Sequence, residues 1–259
     1  MTAAPLLEVQ GLGRDFGGLR AVHDLTFSVR AGQVKALIGP NGAGKTTTLS
    51  VIAGALAPSR GRVLLDGRPL PARGAHAVAA RGVARTFQLV RLFGEMTVLE
   101  NVLVGCHRQA RAGWGACAVR TRAMRAEEQR LDERAHAVLD MVGLAARVTA
   151  VAAALPYGEQ RLVEVARALA MAPRLLLLDE PGAGLDAEEH RRLTGLIRTI
   201  RDGGTTVLLV DHHIDFVMNA CDEVLVLCQG AKLAEGPPAV VRRDAEVVAA
   251  YLGPEDGGC

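Results

Sequence analysis

Aromatic residues are scarce in this chain: five Phe, two Tyr and one Trp in 259 residues. Cysteines are few and scattered; Cys106, Cys117, Cys221, Cys228 and Cys259 are odd in number and never spaced C-x-x-C. That pattern argues against a zinc site and favours reduced thiols. No uninterrupted apolar run approaches the roughly 18–20 residues that span a bilayer. A membrane role is therefore expected to come through a partner. The start, Met1 to Leu7, has no basic stretch followed by a long apolar core, so no secretion signal is expected. The formal net charge of +2 is too balanced for nucleic acid as the main partner. Arginines do cluster between Arg108 and Arg134, but Glu127, Glu128, Asp132 and Glu133 interleave, as on a solvated helix face.

What the chain does have is 49% hydrophobic and 22% charged residues, a globular composition. The length allows one large core or two modest ones. Its organising stretch is Gly39-Pro40-Asn41-Gly42-Ala43-Gly44-Lys45-Thr46, which fits G-x-x-x-x-G-K-[ST] at every fixed position. A strand-like run (Val34, Ala36, Leu37, Ile38) precedes it, and helix-compatible residues from Thr47 to Ala53 follow. Strand, glycine-rich loop and helix is the context that makes the pattern a phosphate site. The glycines let backbone N–H groups turn inward around phosphates, helped by the positive end of the next helix. In such a loop Lys45 neutralises the β- and γ-phosphates, and the Thr46 hydroxyl ligates Mg²⁺.

Leu6 to Leu12 and Leu25 to Val29 read as strands joined by a glycine-rich turn holding Phe16. A scarce aromatic just before a phosphate loop can stack on an adenine base, or merely staple the hairpin. Arg62 to Leu65 followed by Asp66-Gly67 signals a second hairpin. Ala75 to Arg81 reads as helix. Val83 to Phe87 is strand-like and ends in Gln88, whose amide can reach Mg²⁺ or an attacking water, though a lone Gln at a strand end usually does neither. From Thr97 to Val142 the period is helical, with a stripe of Leu131, Ala135, Val138 and Val142 and a break at Gly113-Trp114-Gly115. This region is expected to be a helical subdomain inserted into an α/β core, its last helix ending near Gly143.

Leu155-Pro156-Tyr157-Gly158-Glu159-Gln160 leads a helix through Ala170. The apolar run Leu175 to Leu178 then delivers Asp179-Glu180-Pro181 at a strand end. By itself this is a strand capped by acids. After a phosphate loop, Asp179 is expected to hold Mg²⁺ and Glu180 to polarise the water attacking the γ-phosphate. A helix over Ala187 to Asp202 and a strand over Thr206 to Val210 lead to Asp211-His212-His213. Two histidines after an acid suggest a metal site, but neighbours on an extended segment point opposite ways. A single histidine reaching the γ-phosphate fits better. Glu223 to Cys228 and Lys232 to Glu235 form a closing hairpin around Gly230, with Cys221 and Cys228 as packing residues. Two short helices run to Leu252.

Together these pieces resemble the nucleotide-binding subunits of ABC transporters across nearly the whole chain. In the family's order, Phe16 falls at the adenine-stacking position, Gly39 to Thr46 (with Thr47) at the Walker A loop and Gln88 at the Q-loop. Leu155 to Gln160, with Gly158, falls at the signature motif, Leu175 to Glu180 at Walker B, Asp186 at the D-loop and His212 at the switch histidine. The run Phe16-Gly17-Gly18-Leu19, the insert after Arg85-Thr86-Phe87-Gln88 and the ending Ala250-Tyr251-Leu252-Gly253 look like the ATPases of branched-chain amino-acid importers; urea and amide importers share these features.

The resemblance implies a P-loop NTPase core of the ABC ATPase type, with an N-terminal antiparallel β portion and the inserted helical subdomain. One ABC ATPase domain would span 1–253, with its core at 1–92 and 160–253, the helical subdomain at about 93–159, and a loose tail at 254–259. ATP and Mg²⁺ would be bound by the residues above, with Glu180, His212 and Gln88 in the chemistry and Thr46, Gln88 and Asp179 on the metal. The partners implied are hydrophobic permease subunits and a second ATPase subunit, the same or a related chain, set head to tail. A periplasmic or extracellular binding protein would be an indirect partner, and no nucleic acid is expected. The place implied is the cytoplasmic face of the plasma membrane. Two departures stand out: Pro156, where the family's motif has Ser, offers neither hydroxyl nor N–H, and Asp211 precedes the histidine where Glu is commoner. The ATPase of the lipopolysaccharide exporter shares that Asp and is the nearest rival, though its helical subdomain is shorter.

Overall fold

The computed structural model describes residues 4–107 and 122–252. The Gly113-Trp114-Gly115 break, Cys117, the start of the arginine cluster, Gly253 and the tail at 254–259 lie outside the described residues. The chain divides into two compact units, Met1–Gln88 with Arg174–Cys259, and Leu89–Pro173.

The first unit holds two sheets. In the antiparallel one, Pro5–Phe16 (β1), Leu19–Arg30 (β2), Arg60–Leu65 (β4) and Arg68–Pro69 (β5) lie in the order β2-β1-β4-β5. This is the expected N-terminal antiparallel portion, but its first two strands run further than the sequence suggests. Register shifts after Val9 and Leu12 absorb the glycines, so pairing continues until Phe16 stands opposite Leu19. Phe16 therefore ends a strand instead of sitting in a loop. The Asp66-Gly67 turn has both residues at positive φ (53° and 68°), as a tight two-residue hairpin requires.

The second sheet contains Val34–Ile38 (β3), Val83–Arg85 (β6), Leu175–Asp179 (β7), Thr206–Val210 (β8), Glu223–Cys228 (β9) and Ala231–Gly236 (β10). Its order is β10-β9-β3-β8-β7-β6, and every pairing is parallel except the β9–β10 hairpin. Strands covered on both faces must be apolar throughout. Every residue of β3, β7 and β8 is buried, and the sequences of β7 and β8 are near-continuous Leu and Val. The exception is Lys35, in the middle of β3 and 1% exposed. Its Nζ meets Glu223 at 3.1 Å, the Ser28 carbonyl at 2.7 Å, and Glu235 on β10, so the buried cation is neutralised.

Helices Lys45–Ile52 (α1) and Ala75–Ala80 (α2) belong to this unit, as do Ala187–Asp202 (α6), Ile214–Ala220 (α7), Pro238–Val241 (α8) and Ala245–Leu252 (α9). α6 buries Leu193, Leu196, Ile197 and Ile200 at helical spacing. Because β3, β8, β7 and β6 are neighbours running in one direction, their carboxyl ends open on one edge, and the segments leaving them gather there. Leu37, Val210 and Asp179 stand level across three adjacent strands.

In the second unit, Val98–Cys106 (α3), Arg122–Met141 (α4) and Tyr157–Ala170 (α5) pack together. α3 starts with a capping box in which Thr97 and Glu100 satisfy each other's backbone N–H. α3 and α5 approach closely at Gly105, where a Cβ would lie 2.1 Å from the Arg167 carbonyl. Of the expected stripe, Ala135, Val138 and Val142 are buried and Leu131 is half-buried. Gly143, at φ 79°, follows the end of α4. The sequence-based division at 159/160 falls inside α5, which packs whole against α3 and α4.

Cys106 and Cys221 are in no disulfide, whereas Cys228 is disulfide-bonded, against the expectation of reduced thiols. Spacing along the chain carries no information on which sulfurs meet in space. Among the described residues, no helix is long and apolar enough to cross a membrane.

Candidate functional site

The loop between β3 and α1 is shaped by backbone that only glycine tolerates. Gly39, Gly42 and Gly44 have φ values of 147°, 82° and 93°. A Cβ at Gly39 would lie 2.1 Å from the Leu227 carbonyl, and one at Gly44 2.4 Å from the Ala21 carbonyl. Ala43 is buried, while Asn41, Gly42 and Thr46 are exposed and Pro40 and Thr47 half-buried. The Lys45 ammonium folds back onto its own loop, donating to the Gly39 and Pro40 carbonyls at 2.7 and 2.8 Å. Burial holds its pKa below the ordinary lysine range, although Glu180 and Asp179 pull it upward. A cation held over a glycine-rich loop at a helix start is an arrangement suited to a polyphosphate.

The carboxyl ends of β6, β7 and β8 add the acids and the amide. Asp179 is 1% exposed. Its Oδ2 accepts from Arg85 Nη2 at 2.8 Å, whereas Oδ1 is buried with no hydrogen-bond partner. A buried carboxylate oxygen without a donor is costly unless a cation completes it, so Asp179 suits a hard divalent ion. Glu180 follows at φ 48°, strained for a residue with a side chain, and its N–H donates to the Val210 carbonyl at 2.8 Å. Its Oε2 accepts from Gln88 Nε2 at 3.1 Å and lies 3.7 Å from His212 Nδ1. Gln88, Glu180 and His212 thus converge, as three distant stretches of the sequence suggest.

The two histidines do not diverge as an extended segment would make them. The chain has already left β8, and their ring centroids stand 4.2 Å apart. Asp211, His212 and His213 accordingly bring a ligand atom each within 4.8 Å of one another. Asp211 has internal partners: Oδ1 takes the His213 backbone N–H and contacts its Nδ1, both at 2.9 Å, and Oδ2 takes the Gly182 N–H at 2.9 Å. It therefore ties the segment after Glu180 to the segment after β8. The His213 ring in turn lies 4.7 Å from that of His190 on α6.

Asp186 caps α6, accepting the N–H groups of Glu188 and Glu189 at 2.8 Å, and the Glu189 bond is the main reason its carboxyl titrates below the usual range. Phe16 is 43% exposed, with the Arg14 guanidinium 4.5 Å from its ring centre. Residues not foreseen from sequence are Arg85, Ser50 and Tyr251. Burial pushes the Tyr251 phenol up to about 12, against a hydrogen bond from the Gly39 backbone. The runs Arg85-Thr86-Phe87-Gln88 and Ala250-Tyr251-Leu252-Gly253 were the available signals.

In the second unit, Pro156 occupies the N-cap of α5 and makes no side-chain cap; its carbonyl accepts the Gln160 N–H at 3.0 Å. Gly158 is the second residue of the helix, where a backbone N–H has no acceptor within the helix. Tyr157 is exposed.

Comparison with known proteins places these features. Residues 22–183 match the family described as ABC transporter, and residues 231–255 match the family described as branched-chain amino acid ATP-binding cassette transporter. The chain is 43% identical over 250 residues to the high-affinity branched-chain amino acid transport ATP-binding protein BraF of Pseudomonas aeruginosa, covering 96% of this chain and 98% of that protein. To LivG of Escherichia coli, of the same description, it is 41% identical over the same shares. Among solved structures, an ATP-binding cassette of an ABC transporter in its ADP conformation superposes with a TM-score of 0.85 at 30% identity, covering 97% of this chain and 100% of that one.

Proposed function

The chain belongs to the ABC transporter ATP-binding family, and from that premise we propose that it is the ATP-hydrolysing subunit of a branched-chain amino-acid importer. The convergence of Lys45, Asp179, Glu180, Gln88 and His212 at the carboxyl ends of parallel strands carries the ATPase part of this reading, and the relatives named above support the importer part. In this reading the backbone from Gly39 to Thr47 cradles the phosphates of ATP, Lys45 neutralises them, and Phe16 stacks on the adenine. Thr46, Asp179 and Gln88 would hold Mg²⁺, which when bound offsets charge on the β- and γ-phosphates. Asp179 fits that role through its partnerless Oδ1. Glu180 polarises the attacking water, and His212 contacts the γ-phosphate.

Gly158 and Asp186 would meet ATP held by a second ATPase subunit facing head to tail, so one copy carries two half-sites. Permease subunits would hold the pair at the cytoplasmic face of the plasma membrane, with an external binding protein delivering the solute. The relatives named above support the importer over the lipopolysaccharide exporter, whose motivating feature was Asp211 alone. The test is purification from detergent-extracted membranes, followed by leucine uptake in vesicles loaded with ATP. Hydrophobic permease chains should co-purify and uptake should require ATP; a chain that hydrolyses ATP yet brings down no permease would sink the importer reading.

A further inference from the structure

Arg85 ends β6, three residues before Gln88, and its guanidinium is spread between two elements. Nη2 donates to Asp179 Oδ2 at 2.8 Å and Nη1 to Ser50 Oγ on α1 at 3.0 Å. The Ser50 hydroxyl in turn donates to the Thr46 carbonyl at 2.7 Å. One fork thus joins two of the three residues assigned above to the metal, Asp179 directly and the Thr46 backbone through Ser50. The ion pair is sheltered, with the Arg85 side chain 12% exposed and that of Asp179 2%.

A carboxylate held by one oxygen cannot rotate freely, and here the held oxygen is Oδ2. Oδ1, buried and without a partner, is left for a ligand. We propose that Arg85 is a positioning residue of the ATP site: it fixes the Asp179 carboxylate with one oxygen reserved for the divalent ion and locks it to the helix that starts with Lys45 and Thr46. This rests on the reading of the site as an ATP site. A planar guanidinium can serve two acceptors at fixed separation, which a lysine ammonium on a flexible stem cannot reproduce. A simple buried ion pair would behave differently. Its loss would weaken the whole fold without singling out the metal.

The experiment titrates a fluorescent ATP analogue onto the full chain, once with Mg²⁺ and once with EDTA, and takes the ratio of the two affinities. Arg85→Lys keeps a positive charge against buried Asp179 and should fold. It is expected to lower that ratio at least about fivefold while leaving the EDTA affinity within about twofold of the parent. With Mn²⁺ in place of Mg²⁺, the loss of the free-ion signal on adding chain and nucleotide, read by electron paramagnetic resonance, should shrink in parallel. Ser50→Ala removes only the tie to α1 and should lower the ratio about two- to threefold; it decides the matter where Arg85→Lys does not fold. An unchanged ratio in the deciding variant overturns the inference, as does an equal loss with Mg²⁺ and with EDTA. A parent chain that binds no nucleotide overturns the ATP reading first and this inference with it.

Discussion

The Gln88 amide donates to the Glu180 carboxylate at 3.1 Å, on the same oxygen that lies 3.7 Å from His212. The acid that follows β7 is therefore addressed by two segments at once, and water polarised by Glu180 would be oriented by both. Glu180→Gln should retain ATP, lose turnover and accumulate an ATP-bound dimer on gel filtration with Mg-ATP. Lys45→Ala should instead weaken ATP binding about ten- to a hundredfold, because a hydrogen bond to a charged group contributes about 1.5–3 kcal/mol. Hydrolysis by Glu180→Gln at the parent rate would refute the assignment.

His212 and its neighbours separate chemistry from scaffolding. His212→Ala should cut turnover in the assembled transporter at least tenfold, about 1.4 kcal/mol of barrier. Asp211→Ala strands the N–H groups of Gly182 and His213, and should lower unfolding free energy in urea by about 1–3 kcal/mol. His213→Ala should cost less turnover than His212→Ala, since its ring meets Asp211 and the neighbouring histidines and not Glu180. Equal losses for the two histidines, or zinc bound to the purified chain, would mean that the Asp211-His212-His213 cluster holds a metal.

Within the phosphate loop, glycines of similar φ differ in what surrounds them. Gly44→Ala drives a Cβ to 2.4 Å from the Ala21 carbonyl, whereas at Gly42 nothing lies within 4 Å. Gly42→Ala should cost only backbone strain, about 1 kcal/mol. Gly44→Ala should cost several times that and abolish binding of ATP. Thermal melts with and without nucleotide check the contrast, and equal melting temperatures for the two variants would contradict it.

Pro156→Ser would place a hydroxyl at the N-cap of α5, where no side chain now caps. A serine there stabilises the helix by about 1 kcal/mol and gives the partner's ATP a further donor. The ATP-bound dimer in a Glu180→Gln background should dissociate more slowly. Unchanged or faster dissociation would leave the phosphate to backbone groups alone.

How far the sequence reveals this site depends on whether a residue's role is local. The phosphate loop, the acid-terminated strand β7 and the helix over Ala187–Asp202 are visible because glycine spacing, an unbroken apolar run and 3.6-residue periodicity are local signals. Arg85 is invisible in that sense. Its partners Ser50 and Asp179 lie 35 and 94 residues away, and only the pairing of β6 with β7 and the packing of α1 on β7 bring them near. The histidine pair misleads for a related reason: the rule that neighbours point apart assumes a strand, and the strand has ended at Val210. Phe16 was displaced from loop to strand because glycine-bearing register shifts let pairing continue through residues that read as a turn.

Lys35 makes the closing hairpin specific to its seat. Its ammonium waits in the middle of β3 for Glu223 on β9 and Glu235 on β10. A slip of β10 by one residue would turn Glu235 to the opposite face and leave the cation short of a partner. The C-terminal stretch is thus keyed rather than modular. Grafted from a relative, it would seat on this sheet only if it carried an acid in that register, and a chain ending before Ala231 would leave β3 with a charge it cannot fully neutralise.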